Sequence, residues 1–113
     1  RVNNEIAFLY EPHHPAVLRS LKQVAQVAKE RNLPVTVCGE IAGDPHFLPL
    51  LMGLGYDSFS ASASMVPELK FFARRFSMEE VERITLDAES KYRPSEVKEL
   101  IKDFYESRIS EAV

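Results

Sequence analysis

Only two short segments of this 113-residue chain have the pattern of β-strands, and one short helical segment separates them. Residues 35–38 (VTVC) form a β-branched run that ends at Gly39, which is typical of a buried strand. Residues 57–61 (DSFSA) alternate polar and apolar side chains. A strand–helix–strand crossover of this length predicts a parallel pair with a right-handed connection. Two buried parallel strands do not form a stable sheet alone, so we expect further strands from another part of the protein or from another copy.

The remaining pattern predicts five helices, in the order helix, strand, short helix, strand and three helices. The first helix covers residues 15–31, with Pro15 at its first position and Asn32 as its cap. Apolar residues recur at helical spacing along it and predict one buried stripe, formed by Val17, Leu18, Leu21, Val24, Ala25 and Ala28.

Cap residues and prolines mark the starts of the other helices. Asp44 with Pro45 predicts the start of the short helix, although Pro49 would bend it or move its start later. Gly53 and Gly55 are expected to end this helix. The last three helices also begin at capping patterns, which are Ser64, Ser77 with Glu80, and Pro94.

Charge and composition exclude several classes of function. The chain has 14 Lys plus Arg, 17 Asp plus Glu and a formal net charge of −3, so nothing favours binding to nucleic acid or anionic membrane. No stretch approaches the ~20 apolar residues that span a bilayer, and no signal peptide is apparent. A single cysteine predicts a reducing, cytoplasmic location. The chain begins with Arg1 rather than Met, so we expect it to be processed or an excerpt of a longer protein.

The segment most suggestive of chemistry is residues 37–45 (VCGEIAGDP). Cys38 ends the first predicted strand, and parallel α/β proteins bind ligands at the carboxyl ends of their strands. Two interpretations stay open: a small buried hydrophobe, or a thiol that acts as an acid, base or nucleophile. Gly39 would let the backbone approach a ligand closely.

Other polar residues are weaker candidates. His13 and His14 precede a helix and are expected to be cap or surface residues, and His46 is expected to be exposed in a first helical turn. Glu40 and Asp44 lie four residues apart without an established ligand spacing, so we expect no metal site within this chain.

Two motifs resemble a known family. Residues 37–45, followed by residues 48–62 (LPLLMGLGYDSFSAS), resemble the end of the PEP-binding barrel of Enzyme I, the phosphoenolpyruvate-protein phosphotransferases. Residues 9–18 (LYEPHHPAVL) are similar to that family's LYDP and HPAVL segment. The resemblance runs from Arg1 to about Arg75; beyond it the helices match in position and character only. Pyruvate phosphate dikinase and PEP synthase share the Cys-Gly but differ in the residues that follow.

Within the family, residues 71–77 (FFARRFS) resemble the nitrogen-related branch more than the sugar branch. The resemblance implies that residues 1–113 are a C-terminal fragment of an α/β (β/α)₈ TIM barrel. This fragment would contribute about two parallel strands, the seventh and eighth, with five helices, and it would be incomplete alone.

The resemblance also implies an activity. The intact enzyme would move the phosphoryl group of phosphoenolpyruvate to its own His and then to an HPr-type carrier, releasing pyruvate, and the fragment would be inactive alone. Cys38 would be catalytic, because the family's Cys at this position protonates the methylene carbon of enolpyruvate. A thiol with an ordinary pKa of about 8.5 is mostly protonated at neutral pH and suits that role. Gly39 would line the substrate site.

Arg1 would bind the substrate phosphate, because it stands where the family has a phosphate-contacting Arg. The resemblance further implies Mg²⁺ with ligands outside this chain, an HPr-type partner bound through a missing N-terminal domain, and a homodimer. Three alternatives remain: an assembly module without catalysis of its own, the equivalent part of a pyruvate phosphate dikinase or PEP synthase, and a free-standing helical binding domain, which the residue 37–45 motif disfavours.

Overall fold

The computed structural model describes Glu5 and residues 11–112, with side chains as far as Arg108. Five α-helices follow one another in this part of the chain: α1 (Pro15–Glu30), α2 (Leu48–Leu54), α3 (Val66–Ala73), α4 (Met78–Glu89) and α5 (Pro94–Ala112). A 3₁₀ turn, Glu40–Gly43, precedes α2. None of these five helices is long and apolar enough to cross a membrane.

The two predicted strands are reduced to one isolated parallel bridge between Val37 and Phe59. The Val37 amide donates to the Ser58 carbonyl oxygen at 3.0 Å, and the Ser60 amide donates to the Val37 carbonyl oxygen at 2.8 Å. The predicted parallel direction is therefore confirmed, but the prediction of two strands is wrong for the described residues. A pair of segments without neighbours on either outer edge has too few cross-strand contacts to extend the ladder.

Helix α1 begins and ends at the predicted signals. His14 is the N-cap, and its Nδ1 accepts the Ala16 amide at 3.0 Å. At the other end Asn32 adopts a positive φ of 52°, and the Leu33 amide donates to the Ala28 carbonyl oxygen at 2.8 Å. This arrangement is a left-handed helix cap, so the prediction of Asn32 as the cap is confirmed.

Only part of the predicted apolar stripe on α1 is buried. Leu18 and Ala28 belong to the core, whereas Val17 and Val24 are 37% and 53% exposed. The apolar pattern is wider than the face that the other described elements cover, so the helix keeps an open apolar side.

Helix α2 starts later than Asp44 and Pro45 predict. Its first residue is Leu48, and Pro49 stands in its first turn. A helix that began at Pro45 would require the amide hydrogen of residue 49 for a bond to residue 45, and proline has none. The chain instead forms a turn in which Asp44 Oδ1 accepts the His46 amide at 2.9 Å.

Of the two glycines predicted to end α2, only Gly55 does so. Gly55 ends the helix, with a φ of 109° that other residues rarely adopt. Gly53 lies inside the helix rather than at its end, at a close approach to α4.

For the last three helices, the observed start agrees with the predicted start in two cases. Ser77 and Glu80 form the predicted capping box of α4, and Pro94 opens α5. Ser64 is not the cap of α3; that position is Met65, which makes no side-chain capping bond. The Ser64 hydroxyl instead lies 3.3 Å from the Ser62 hydroxyl, and the two groups form a hydrogen bond with each other.

Helix α2 lies at the centre of the core, and α1, α3 and α4 surround it. Its Leu50 and Leu51 side chains are completely buried, as is Val81 of α4. Aromatic rings join α3, α5 and the segment between α3 and α4: Phe76 lies 5.3 Å from Phe104 and 5.8 Å from Tyr105 between ring centroids. This packing holds the segment between α3 and α4 against α5.

A candidate active-site loop

Residues 38–47, which we call the active-site loop, connect the parallel bridge to α2. Cys38 is its first residue and directly follows Val37, whose side chain is buried and whose amide and carbonyl groups form the bridge. The Cys38 side chain is an exposed free thiol. In the described structure Cys38 is therefore not the small buried hydrophobe of the first interpretation.

Gly39 turns the chain away from the bridge. It has a φ of 83°, and a Cβ added there would find no atom within 4 Å. The space beside the glycine is open, while the positive φ disfavours any other residue. The backbone at Gly39 is therefore accessible next to the Cys38 thiol. The following 3₁₀ turn is held by Ala42, which is 1% exposed.

Asp44 organises the second half of the loop. Besides the His46 amide, Asp44 Oδ1 lies 3.5 Å from His46 Nδ1, at ion-pair distance. The Phe47 amide donates to the Asp44 carbonyl oxygen at 3.0 Å. Asp44 thus caps a turn and not a helix, and His46 is exposed in that turn rather than in the first turn of α2.

His13 was expected to be a cap or surface residue, but it is neither: His14 is the cap of α1, and the His13 side chain is largely buried beside this loop. Its side chain is 16% exposed, its ring packs edge-on against Phe47 at 5.1 Å between centroids, and its Nδ1 lies 3.5 Å from Glu11 Oε1. Burial lowers the pKa of His13, and the nearby Glu11 carboxylate offsets only part of that effect. The neutral imidazole therefore fits this position better than the charged one.

Glu11, the neighbour of His13, connects this region to α5. It accepts a hydrogen bond from Lys98 Nζ of α5 at 2.9 Å. Burial alone would raise the pKa of Glu11, but the hydrogen bond and positive charge of Lys98 outweigh it and lower the pKa below its usual value. The carboxylate is consequently ionised at neutral pH.

Tyr105 of α5 also contacts the active-site loop, and no sequence pattern predicted this contact. The hydroxyl of Tyr105, which is buried, donates to the carbonyl oxygen of Pro45. Tyr105 and Lys98 lie 60 and 87 residues from their partners in the chain. No local pattern signals such contacts, because their sequence separation is far larger than a helix or turn.

The described residues contain no group of three or more His, Cys, Asp or Glu side chains that would hold a metal ion. The loop carboxylates of Glu40 and Asp44 therefore do not form an Mg²⁺ ligand set, which requires several oxygens around one point. Arg1, the predicted phosphate-binding residue, lies outside the described residues.

An exposed thiol at the carboxyl end of a parallel β segment, followed by a glycine turn, is typical of the ligand-binding edge of α/β enzymes. A comparison with known protein families also points to an enzyme. The family model described as "PEP-utilising enzyme, PEP-binding domain" matches residues 1–78. The chain belongs to the PEP-utilising enzymes, and the match includes the whole active-site loop.

Curated relatives extend the similarity along most of the chain. The phosphoenolpyruvate-protein phosphotransferase of Listeria monocytogenes is 35% identical over 104 residues, which are 92% of this chain and 18% of that protein. That of Geobacillus stearothermophilus is 39% identical over 84 residues, 74% of this chain and 14% of the relative. A Salmonella typhimurium protein named phosphoenolpyruvate-dependent phosphotransferase system is 33% identical over 108 residues, 96% and 14% respectively. The chain thus spans less than a fifth of the length of these relatives.

Proposed function

We propose that this chain is the C-terminal part of the PEP-binding (β/α)₈ barrel of a phosphoenolpyruvate-protein phosphotransferase. The complete enzyme would transfer the phosphoryl group of phosphoenolpyruvate to an enzyme His and on to an HPr-type carrier, with pyruvate as the other product. The observation that carries the proposal is the exposed Cys38 thiol at the carboxyl end of the bridge, inside the segment matched by the family model. The match to three named relatives supports it.

Cys38 is the proposed proton donor. After the phosphoryl group has left phosphoenolpyruvate, the methylene carbon of enolpyruvate must gain a proton to become the methyl group of pyruvate. The Cys38 S–H bond breaks, a C–H bond forms at that carbon, and solvent then returns a proton to the thiolate. An exposed thiol beside the open backbone of Gly39 has room for a small three-carbon substrate. General acid catalysis of this kind typically accelerates a reaction ~10²–10⁴-fold.

Substrate binding is assigned to Gly39 and Arg1 as part of this proposal. Gly39 offers backbone at close range because it has no side chain, and a guanidinium such as that of Arg1 suits a phosphate oxygen pair. Mg²⁺ would screen the phosphate charge when bound, and its ligands are proposed to come from other parts of the complete enzyme. The homodimer, the cytoplasmic location and the nitrogen-related branch stay predictions from the sequence.

Cys38→Ala tests the function in a protein that carries the complete barrel. We expect pyruvate formation at saturating phosphoenolpyruvate to fall by about 10²-fold or more, because no group replaces the thiol as acid. Cys38→Ser is the matched variant, since its hydroxyl has nearly the same size but is a much weaker acid, and it is expected to lose a similar amount. Pyruvate formation unchanged in Cys38→Ala would show that Cys38 is not the proton donor.

An assembly role is the second candidate. The parallel bridge leaves both outer edges of the two β segments open within the described residues, and open edges favour pairing with further strands. Such pairing completes a barrel when the strands come from the same polypeptide and joins two copies when they do not. Sedimentation of this 113-residue chain distinguishes the two, because a monomer at all concentrations contradicts the assembly role.

A further inference from the structure

Helix α5 contacts the active-site loop through Tyr105. The Tyr105 side chain is 2% exposed, its hydroxyl donates to the Pro45 carbonyl oxygen, and the His46 ring lies 4.5 Å from the phenol ring. Burial raises the pKa of Tyr105, and the negative charges of Asp44 and Glu68 raise it further. The phenol therefore keeps its proton, and remains a hydrogen-bond donor, throughout the physiological pH range.

The same helix contacts the loop indirectly through Lys98. Lys98 pairs with Glu11, Glu11 lies beside His13, and the His13 ring packs against Phe47 at the end of the loop. Lys98 and Tyr105 are seven residues apart, two helical turns, so they lie on the same side of α5. One side of α5 thus reaches the loop at Pro45 directly and at Phe47 through Glu11 and His13.

The loop's own hydrogen bonds hold its shape but not its location. The Asp44 amide donates to the Ile41 carbonyl oxygen at 3.4 Å, and the Phe47 and His46 amides both donate to Asp44. These bonds join residues within four positions of one another and move with the loop as a unit. The Tyr105 bond, by contrast, connects the loop to a separate helix.

We propose that Tyr105 and Lys98 are positioning residues that hold the far end of the active-site loop, at Pro45 and Phe47, against α5 and so keep the loop that begins at Cys38 in one conformation. Their role rests on the proposed function, because a proton donor must stay within reach of the reacting carbon and small misplacements are costly in rate. Both residues are proposed to act through the loop, and α5 lies beyond the segment that the family model matches.

Tyr105→Phe tests the direct contact. It removes the hydroxyl while the ring remains packed against Phe72 and Phe76. In this chain we expect amide hydrogen exchange of His46 and Phe47 to accelerate about ten-fold, because the Pro45 carbonyl loses its buried partner. Exchange in α4 should not change. The matched control is Tyr92→Phe, because Tyr92 is 85% exposed and its hydroxyl contacts nothing in the described structure.

Lys98→Gln tests the indirect contact without disturbing the core. We expect the Phe47 amide to exchange about two- to three-fold faster, a smaller effect because a partly exposed ion pair contributes less than a buried hydrogen bond. Lys102→Gln is the control on the same helix, since Lys102 is exposed and forms no ion pair in the described structure. Equal exchange in all four variants and the wild type would overturn the proposal, as would a uniform acceleration that includes α4.

A catalytic readout completes the test in a protein with the whole barrel. We expect Tyr105→Phe to lower kcat for pyruvate formation about ten-fold and to change KM for phosphoenolpyruvate less, because proton transfer tolerates misplacement of the loop less than substrate binding does. An unchanged kcat, in an enzyme that Cys38→Ala inactivates, overturns the positioning role. If Cys38→Ala instead retains activity, the proposed role of Cys38 as proton donor fails, and local acceleration of exchange still supports loop anchoring by α5.

Discussion

At the scale of single residues, the charge of His13 is coupled to folding. The imidazole lies between the Glu11 carboxylate and the edge of the Phe47 ring, and Lys98 and Asp44 are the other charged groups that act on it. Burial lowers its pKa below the ordinary 6.5, so the unfolded chain takes up the proton first as pH falls. Because the unfolded state then binds more protons than the folded state, acidification through pH 6.5 destabilises the fold.

We therefore expect the free energy of unfolding of the wild type to decrease between pH 7.5 and pH 5.5, and that of His13→Gln to decrease less. Urea unfolding at several pH values measures both slopes. The lowered pKa of Glu11 does not interfere, since its stabilising effect is lost only as pH falls below about 4.5, outside this window. Equal slopes for the two proteins would contradict the assignment to His13.

The location of Cys38 was easier to predict than the surroundings of His13. Cys38 was identified from its place after a β-branched run, and the structure puts it there as an exposed thiol. The burial of His13 was not identified, because it depends on Phe47, 34 residues away, whose ring meets the imidazole only after folding.

At the scale of elements, the close approach of α2 to α4 depends on Gly53. A Cβ at this position would fall inside the contact distance of Thr85 Oγ1 and of the Val81 carbonyl oxygen. Both atoms belong to a helix that is buried on this side, so neither moves without displacing the core. The glycine is therefore required by packing and not by its backbone angles.

Gly53→Ala is expected to destabilise the chain by about 1–3 kcal/mol, the usual cost of overpacking, and urea unfolding measures it. Gly43→Ala is the matched control, because its Cβ would lie 3.7 Å from that of Ala61, an ordinary contact. Its stability should change by less than about 1 kcal/mol. A loss in Gly53→Ala no larger than that of the control would mean that α4 moves away freely.

Element boundaries were predictable where the signal was local. The capping box of α4 and the proline at the start of α5 act within one turn, and both predictions are confirmed. The start of α2 was misplaced because two prolines competed for the first turn, and the missing amide of Pro49 outweighed the cap at Asp44. Ser64 failed as a cap because its hydroxyl lies beside Ser62 instead.

At the scale of the whole molecule, the parallel bridge between Val37 and Phe59 leaves both of its outer edges unpaired within the described residues. The Val37 amide and carbonyl point toward residues 58–60, so the amides of Cys38 and Phe59 point to opposite outer edges. In this chain both amides should exchange quickly with solvent.

In a protein that carries the complete barrel we expect the Cys38 and Phe59 amides to exchange at least about 100-fold more slowly, because neighbouring strands would then accept their hydrogen bonds. The Ser60 amide, bonded to the Val37 carbonyl at 2.8 Å, is the internal reference and should be protected in both proteins. Amide hydrogen exchange followed by NMR measures all three. Rapid exchange of Cys38 and Phe59 in the longer protein would contradict a barrel.

The sequence alone determined the features that depend on near neighbours: the caps at His14, Asn32 and Ser77, the parallel direction of the two β segments, and the thiol at the end of the first. Its motifs also predicted the family that the comparisons then established. Tertiary structure alone decided which side of α1 stays open, how short the β pairing is, and that Tyr105 and Lys98 of α5 reach the active-site loop. The physical reason is range: capping bonds and backbone angles act over about four residues, whereas burial and contacts between distant segments exist only once the whole chain has packed.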